Sequence, residues 1–212
     1  GYERSEWKNN FSNQKETLNI VGRGECSVTN GVFRSKGSYA CFGNPEWKNY
    51  AVSFKARAPK DAEQVQIWAG FRANNRFDRY VVGIKGGLQD DLYLMRMGYM
   101  GTDEFLGVRP LGFHPVPGQW YKLKVEVCGS RIRVFVNDEK KPHMDIVDKN
   151  SNLAPSGPVT LGGGWIETEF DDLVVTSLEE NALNDVAVSE YGKVVTPQEK
   201  ESLRKQQRAT YT

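Results

Sequence analysis

The stretch Gln64-Val-Gln-Ile-Trp-Ala-Gly-Phe-Arg-Ala-Asn-Asn-Arg-Phe-Asp-Arg-Tyr-Val-Val-Gly-Ile-Lys-Gly-Gly87 decides how this chain folds. It reads as two neighbouring β-strands, 65–72 and 79–85, joined by the polar loop 74–78. Side chains alternate across a strand, so Val65, Ile67, Ala69 and Phe71 form one face and Gln66, Trp68, Gly70 and Arg72 the other. The first set is a core face. In the second strand Tyr80, Val82 and Ile84 enter the same core, while Arg79, Val81 and Gly83 share the side of Trp68. An aromatic plate beside planar hydrogen-bonding groups suits sugars, whose C–H faces stack on rings and whose hydroxyls take directional bonds.

The same alternation recurs on both sides. Segments 26–29 and 32–35 flank Asn30-Gly31, a strong hairpin signal. Further strands are predicted over 50–57, 92–97, 120–127, 131–136, 160–161 and 170–176. Many short strands with Gly and Asn turns, and no helices between them, imply an antiparallel sandwich or jelly roll. The segment 98–118 is expected to be a long loop carrying Tyr99, Asp103, Glu104, Arg109 and His114. Such a loop either holds function or covers one edge of the sheet.

Bulk properties narrow the partners. The 28 Lys plus Arg balance 27 Asp plus Glu, which argues against nucleic acid, because phosphate contacts need a basic surface. No apolar run reaches membrane-spanning length, and no secretory h-region opens the chain, so no membrane partner is expected. The spacing of Cys26, Cys41 and Cys128 matches no zinc motif, and buried thiols are the favoured reading. A Cys26–Cys41 disulfide stays open for an exported protein.

The expected organisation is one β-sandwich over residues 1–178 and a linker or helical tail over 179–212. Thr196-Pro-Gln-Glu199 forms a capping box that predicts a helix over 199–208, too charged to bury itself. The abrupt start at Gly1-Tyr2 and the polar end read as a piece of a longer protein with a following domain.

Candidate site residues follow from the strand faces. Gln66, Trp68, Arg72 and Arg79 lie on one side. In 92–97 either Leu92, Leu94 and Arg96 or Tyr93, Met95 and Met97 join them, and Arg96 is assigned outward because a lone buried Arg is costly. Several arginines would suit an acidic sugar such as a uronate. The alternative is an ordinary solvated face with Arg72 paired to Asp78 or Glu63. Tyr99, Trp165 and Glu167 complete the binding set. Trp165 follows a triple-glycine run and either closes over a sugar from the side or plugs the end of the sandwich.

The order of motifs carries a resemblance. Asn30-Gly-Val-Phe33, Trp47-Lys-Asn-Tyr-Ala-Val-Ser-Phe54, Ala69-Gly-Phe-Arg72, Tyr80-Val-Val-Gly-Ile84, Gly118-Gln-Trp-Tyr-Lys-Leu-Lys-Val-Glu-Val127, Gly129-Ser-Arg-Ile-Arg-Val-Phe-Val136 and Phe170-Asp-Asp-Leu-Val-Val175 span about the first 175 residues. Together they resemble the concanavalin A-like lectin/glucanase superfamily, in its laminin-G-like and 3-keto-disaccharide hydrolase (DUF1080-like) branch. The resemblance implies a two-sheet jelly roll with a glycan site on the concave sheet. It also implies an accessory module of a periplasmic or extracellular glycoside hydrolase, as found in gut Bacteroidetes, covalently linked to a catalytic domain. No cofactor is implied, except that Asp171 and Asp172 stand where acids in related jelly rolls either bind a structural calcium or hydrogen-bond neighbouring loops. The paired acids of the glucanase branch are missing. Were the domain itself a catalytic hydrolase, Asp103, Glu104 and His114 would be the candidates, and a non-binding spacer is the third reading.

Overall fold

A computed structural model describes residues 5–75, 77–87 and 89–184, with 201 and 205 in the tail. Among these residues the chain forms fifteen strands: β1 (Glu6–Asn9), β2 (Asn19–Val21), β3 (Glu25–Thr29), β4 (Val32–Lys36), β5 (Tyr39–Phe42), β6 (Tyr50–Arg57), β7 (Gln66–Phe71), β8 (Arg79–Lys85), β9 (Asp91–Met97), β10 (Glu104–Pro110), β11 (Tyr121–Cys128), β12 (Arg131–Val136), β13 (Met144–Val147), β14 (Val159–Gly162) and β15 (Thr168–Ser177). They assemble into two antiparallel sheets. The front sheet runs β10-β9-β8-β7-β14-β5-β2, and the back sheet runs β13-β12-β11-β6-β15-β4-β3 with β1 added beside β15. This is the all-β jelly-roll sandwich that the alternation implies.

Local sequence explains the turns. Asn30 and Gly31 both take positive φ, 54° and 75°, which a two-residue type I′ hairpin requires. Pro110 closes β10, a front-sheet edge strand, where a missing N–H costs no ladder bond. The segment expected as one long loop therefore contains a strand. Edge strands β2 and β13, together with β1 and β5, are also additions to the sequence reading. Each is only three or four residues long, too short to show a period.

Between the sheets, Phe33, Phe54, Val125, Val134 and Phe170 of the back sheet meet Ile67, Phe71, Tyr80, Ile84 and Leu94 of the front sheet in one buried cluster. Cys26 lies on β3 of the back sheet and Cys41 on β5 of the front sheet, and both are free thiols. The open disulfide is therefore not formed. The sequence-predicted helix over 199–208 falls mostly outside the described residues, of which 201 and 205 are helical. Inside the segment expected as a tail, Leu183 is buried and its carbonyl accepts from Arg131 Nη1 at 3.4 Å, which docks the start of that segment onto β12.

Candidate functional site

The outer face of the front sheet is built by cross-strand register. Trp68 stands opposite Gly83, Gly83 opposite Tyr93, and Tyr93 opposite Val108. One row along, Thr160 faces Gly70, which faces Val81, Met95 and then Phe105. Trp68, Val81, Tyr93, Met95 and Phe105 form a second apolar cluster, separate from the main core. Glycine makes the crowding feasible, since a Cβ on Gly83 would sit 2.8 Å from the Tyr93 ring. The Trp68 indole meets Tyr93 edge-on, with centroids 5.9 Å apart. Gly164 from the β14–β15 loop closes over it, and Gln66 beneath that loop is 2% exposed. At 7% exposure Trp68 is a wedge inside this layer and offers no open plate for a sugar.

Two of the sequence-predicted arginines leave this face. Arg72 takes φ 48°, which breaks the alternation of β7 and turns its side chain toward the end of the sandwich. Its Nε donates to Lys48 O at 2.7 Å, Nη1 to Gly129 O at 2.8 Å and Nη2 to Asn49 Oδ1 at 3.2 Å. Neither Asp78 nor Glu63 pairs with it among the described residues. It ties a front-sheet strand to two back-sheet loops. Arg96 shares the inward side of β9 with Leu92 and Leu94 and is 4% exposed. Its Nε donates to Asp148 Oδ2 at 2.9 Å and its Nη2 to Glu104 Oε2 at 3.0 Å. The outward assignment is corrected: a buried arginine is tolerated when a carboxylate meets it, and Asp148 supplies one from beyond β13. Burial raises the Asp148 carboxyl's pKa, but hydrogen bonds from Arg96, Tyr80 and the Asn150 amide outweigh it and hold it below the usual carboxylate value.

Arg79 stays on the outer face. Its aliphatic stem crosses Gly70, and its guanidinium lies 4.2 Å over the Tyr39 ring, with Nη1 donating to Tyr39 Oη at 3.3 Å. Burial lowers its pKa, offset by Tyr39, Cys41 and Asp103 nearby. Tyr39 and Cys41 in turn line an open groove of about 480 Å³ at the β2–β5 edge. Its other walls carry the side-chain amides of Asn19, Asn74 and Asn75. Asn75 is fixed as a turn former: its Oδ1 accepts from the Phe77 and Asp78 amides at 2.8 and 2.9 Å. Asn74 Oδ1 accepts from Asn75 Nδ2 at 3.1 Å. Asn19 is exposed, and its amide makes no side-chain hydrogen bond among the described residues.

The rim is aromatic. Phe77 and Tyr99, from the β7–β8 and β9–β10 loops, lie 4.7 Å apart and are 43% and 58% exposed. Trp165 is 62% exposed and rests near Gly37, while Glu167 lies 3.8 Å from Arg34. These two sit by the β14–β15 loop.

The catalytic candidates are not brought together. Asp103 and Glu104 lie at the Met97 end of β9, where Asp103 accepts from the Gly98 amide at 3.0 Å and Glu104 pairs with Arg96. His114 pairs with Asp90 at 3.0 Å beside the other end of that strand, about 20 Å away by strand rise. At the β15 bulge, Asp172 takes φ 52° and pairs with Lys55 at 3.4 Å, while Asp171 Oδ1 accepts the Asp172 amide at 2.7 Å. Among the described residues no three His, Cys, Asp or Glu side chains gather as metal ligands, and these two carboxylates serve the bulge.

Tyr39 and Asn19 are the residues that the sequence reading missed. The alternation Tyr39-Ala-Cys-Phe42, after Gly37-Ser38, was the available signal: Ala40 and Phe42 enter the core, so Tyr39 and Cys41 face out. Nothing local brings Asn19 beside them.

No known family signature matches this sequence, and none of the curated proteins is similar to it. Solved structures do share its fold. The carbohydrate binding module CBM66 from Bacillus subtilis superimposes with a TM-score of 0.55, at 13% identity over 76% of this chain and 93% of that one. The exoplasmic/lumenal domain of VIP36, in its Ca²⁺/Man3GlcNAc-bound form, gives 0.55 at 11% identity, covering 76% and 86%. The GH43 protein BlXynB from Bacillus licheniformis gives 0.56 at 12% identity, covering 81% of this chain but 39% of that one. At such identities the likeness establishes the jelly-roll sandwich alone.

Proposed function

We propose that this domain binds carbohydrate in the groove formed by Asn19, Tyr39, Asn74 and Asn75. The observation that carries the reading is the groove's chemistry. The Asn19 carboxamide, both donor and acceptor, makes no side-chain hydrogen bond among the described residues. It stands near the Tyr39 ring in a cleft of about 480 Å³, within the size range of small-ligand sites. Asn74 and Asn75, whose amides already hold the 74–78 turn, add polar wall beside it. Vicinal hydroxyls on a sugar need that mixture. Among the described residues no carboxylate or lysine lines the cleft. Tyr39 is 8% exposed, so with the Arg79 guanidinium stacked on its ring it offers the groove an edge and no open plate, and that edge is fixed before ligand arrives.

The fold neighbours support the same reading, because they include a carbohydrate binding module and a lumenal domain bound to Man3GlcNAc. The match to 39% of a longer GH43 protein fits a module joined to a glycoside hydrolase, and attachment to an exported enzyme of that kind is part of the proposal. Phe77, two residues beyond Asn75, pairs with Tyr99 as an exposed aromatic patch that would stack further residues of an oligosaccharide reaching past the groove.

The test is a screen of the full chain against immobilised neutral and uronate-bearing plant and host glycans, followed by titration of the best ligand. Asn19→Ala should weaken binding about three- to tenfold, the worth of one or two hydrogen bonds, with no change in melting because the side chain is exposed. Tyr39→Ala should weaken it further and, because Tyr39 is buried under Arg79, also lower the melting temperature. Binding that survives both substitutions would remove the groove from the proposal, and no retained glycan across the panel would remove the function. Release of shortened sugars during the screen would mean that the domain is a hydrolase.

A further inference from the structure

A second groove lies on the other side of the 44–49 loop. Pro45 lines the first groove and Glu46 the second, so this loop is the wall between them. The second groove holds about 430 Å³ and carries two half-buried indoles, Trp7 of β1 and Trp47, which meet edge-on with centroids 5.8 Å apart at 69°. Its rim carries Ser5, Glu6, Glu46 and Lys48.

The wall is held rigidly. The Glu46 amide donates to Asn44 Oδ1 at 2.8 Å, an Asx turn. Trp47 O accepts from the Gly157 amide at 2.8 Å. Asn49 Oδ1 accepts from Arg72 Nη2 at 3.2 Å and from the Gly129 amide at 2.9 Å. Gly43 has φ +104°, and any Cβ there would enter the Trp47 ring. The glycine lets the indole lie against backbone, which sets the corner between the two rings.

We infer that this corner is a second saccharide site, for a neutral sugar, independent of the groove at Tyr39. Two indoles at an angle present one apolar face and one edge, the geometry that receives a pyranose or furanose ring with C–H groups on one side. Charge selects among ligands. Glu6 is already paired with Lys8 at 3.0 Å, and Glu46 is balanced by Lys48 on the same rim. A phosphate or uronate would meet the carboxylates of Glu6 and Glu46, and a cationic ligand would meet Lys48. A neutral sugar meets acceptors and donors without a net field. The chain would then hold two sugar rings around one loop, or two strands of a glycan at once.

Fluorine NMR of the full chain with 5-fluorotryptophan tests this directly, since the five tryptophans give five signals. Trp7→Phe and Trp47→Phe assign the two that matter. Oligosaccharides of β-1,4-glucan, β-1,3-glucan, xylan, mannan and inulin are titrated separately, with oligogalacturonate and a lysine oligomer as charged probes. The Trp7 and Trp47 signals should move together and saturably with at least one neutral oligosaccharide. In wild type and in Asn19→Ala the movement should be the same, which separates this site from the first groove. Glu46→Ala should weaken it about three- to tenfold. Neither signal moving with any neutral probe up to about 10 mM, at the weak limit of specific affinity, overturns the site. Movement by charged probes alone overturns the ligand class, and movement lost in Asn19→Ala overturns its independence.

Discussion

Replacing Asp148 by alanine tests whether the Arg96 cluster is structural. Asp148 belongs to the back-sheet side and reaches two front-sheet strands: Oδ2 accepts from Tyr80 Oη at 2.7 Å and from Arg96 Nε at 2.9 Å, and Oδ1 accepts from the Asn150 amide at 3.0 Å. Removing one partner of a buried ion pair costs about 3–5 kcal/mol, because the other charge stays in the interior. Arg96 keeps Glu104, which pulls the figure toward the lower end, whereas the buried Tyr80 hydroxyl loses its acceptor and adds about 1–3 kcal/mol. The total of about 4–6 kcal/mol corresponds to a melting temperature roughly 8–24 °C lower for a domain of this size. Calorimetry of wild type, Asp148→Ala and the double variant Arg96→Met/Asp148→Leu reads it out. The double variant should recover most of the loss, since an apolar pair of similar volume replaces the ions.

The pH dependence has a definite sign. A carboxyl held below its unfolded value stabilises above about pH 4, and that stability disappears as pH falls through the folded value. The gap between wild type and Asp148→Asn should therefore be constant above about pH 5 and close in acid. A fall of less than about 3 °C for Asp148→Ala, or an Arg96→Ala variant that melts like wild type while losing glycan, would refute the structural reading and return Arg96 to the binding face.

Trp68→Ala should cost about 3–5 kcal/mol and leave glycan binding by the folded protein intact, checked by denaturant melts beside titrations. Unchanged stability with lost binding would make Trp68 the plate it resembles in the sequence. Gly157→Ala should destabilise by about 2–5 kcal/mol, because φ is +148° and a Cβ would run into the Ala73 backbone; Gly112→Ala, facing open space, should cost only about 1–2 kcal/mol. Burial pushes the Cys26 thiol up to about 11 and raises Cys41, where nearby Arg79 opposes burial. At pH 8 a disulfide reagent should modify Cys26 about 100-fold more slowly than a peptide thiol; equal rates would contradict its burial.

The fold was legible because strand alternation is a local property. The sequence-predicted limits of β6, β8 and β12 coincide with the observed strands, since each alternates over six residues or more. Faces were legible where alternation holds, as at Ile67, Ala69 and Phe71. They were not at Arg72, where one left-handed residue redirects the side chain, nor at Arg96, whose partner is 52 residues away. An arginine's side of a strand depends on whether a carboxylate waits inside, and only the assembled sandwich supplies it. The groove was hidden for a similar reason: Asn19, Tyr39 and Asn74 meet through a three-residue edge strand and a turn far along the chain.

The apolar layer on both sides of the front sheet has a consequence for motion. Every residue of β7, and nearly every residue of β8 and β9, is buried, so their amides should exchange with solvent only when the whole domain opens. The loops bearing Asn75, Phe77 and Tyr99 have no such cover and should exchange early. Arg79 of β8 rests on Tyr39, so ligand arriving at the groove would meet a floor tied to these strands and a supple lip at Asn74 and Asn75. The entropy lost on binding would be confined to a few loop residues, and slow dissociation would come from the lip settling over the sugar while the sheet stays still.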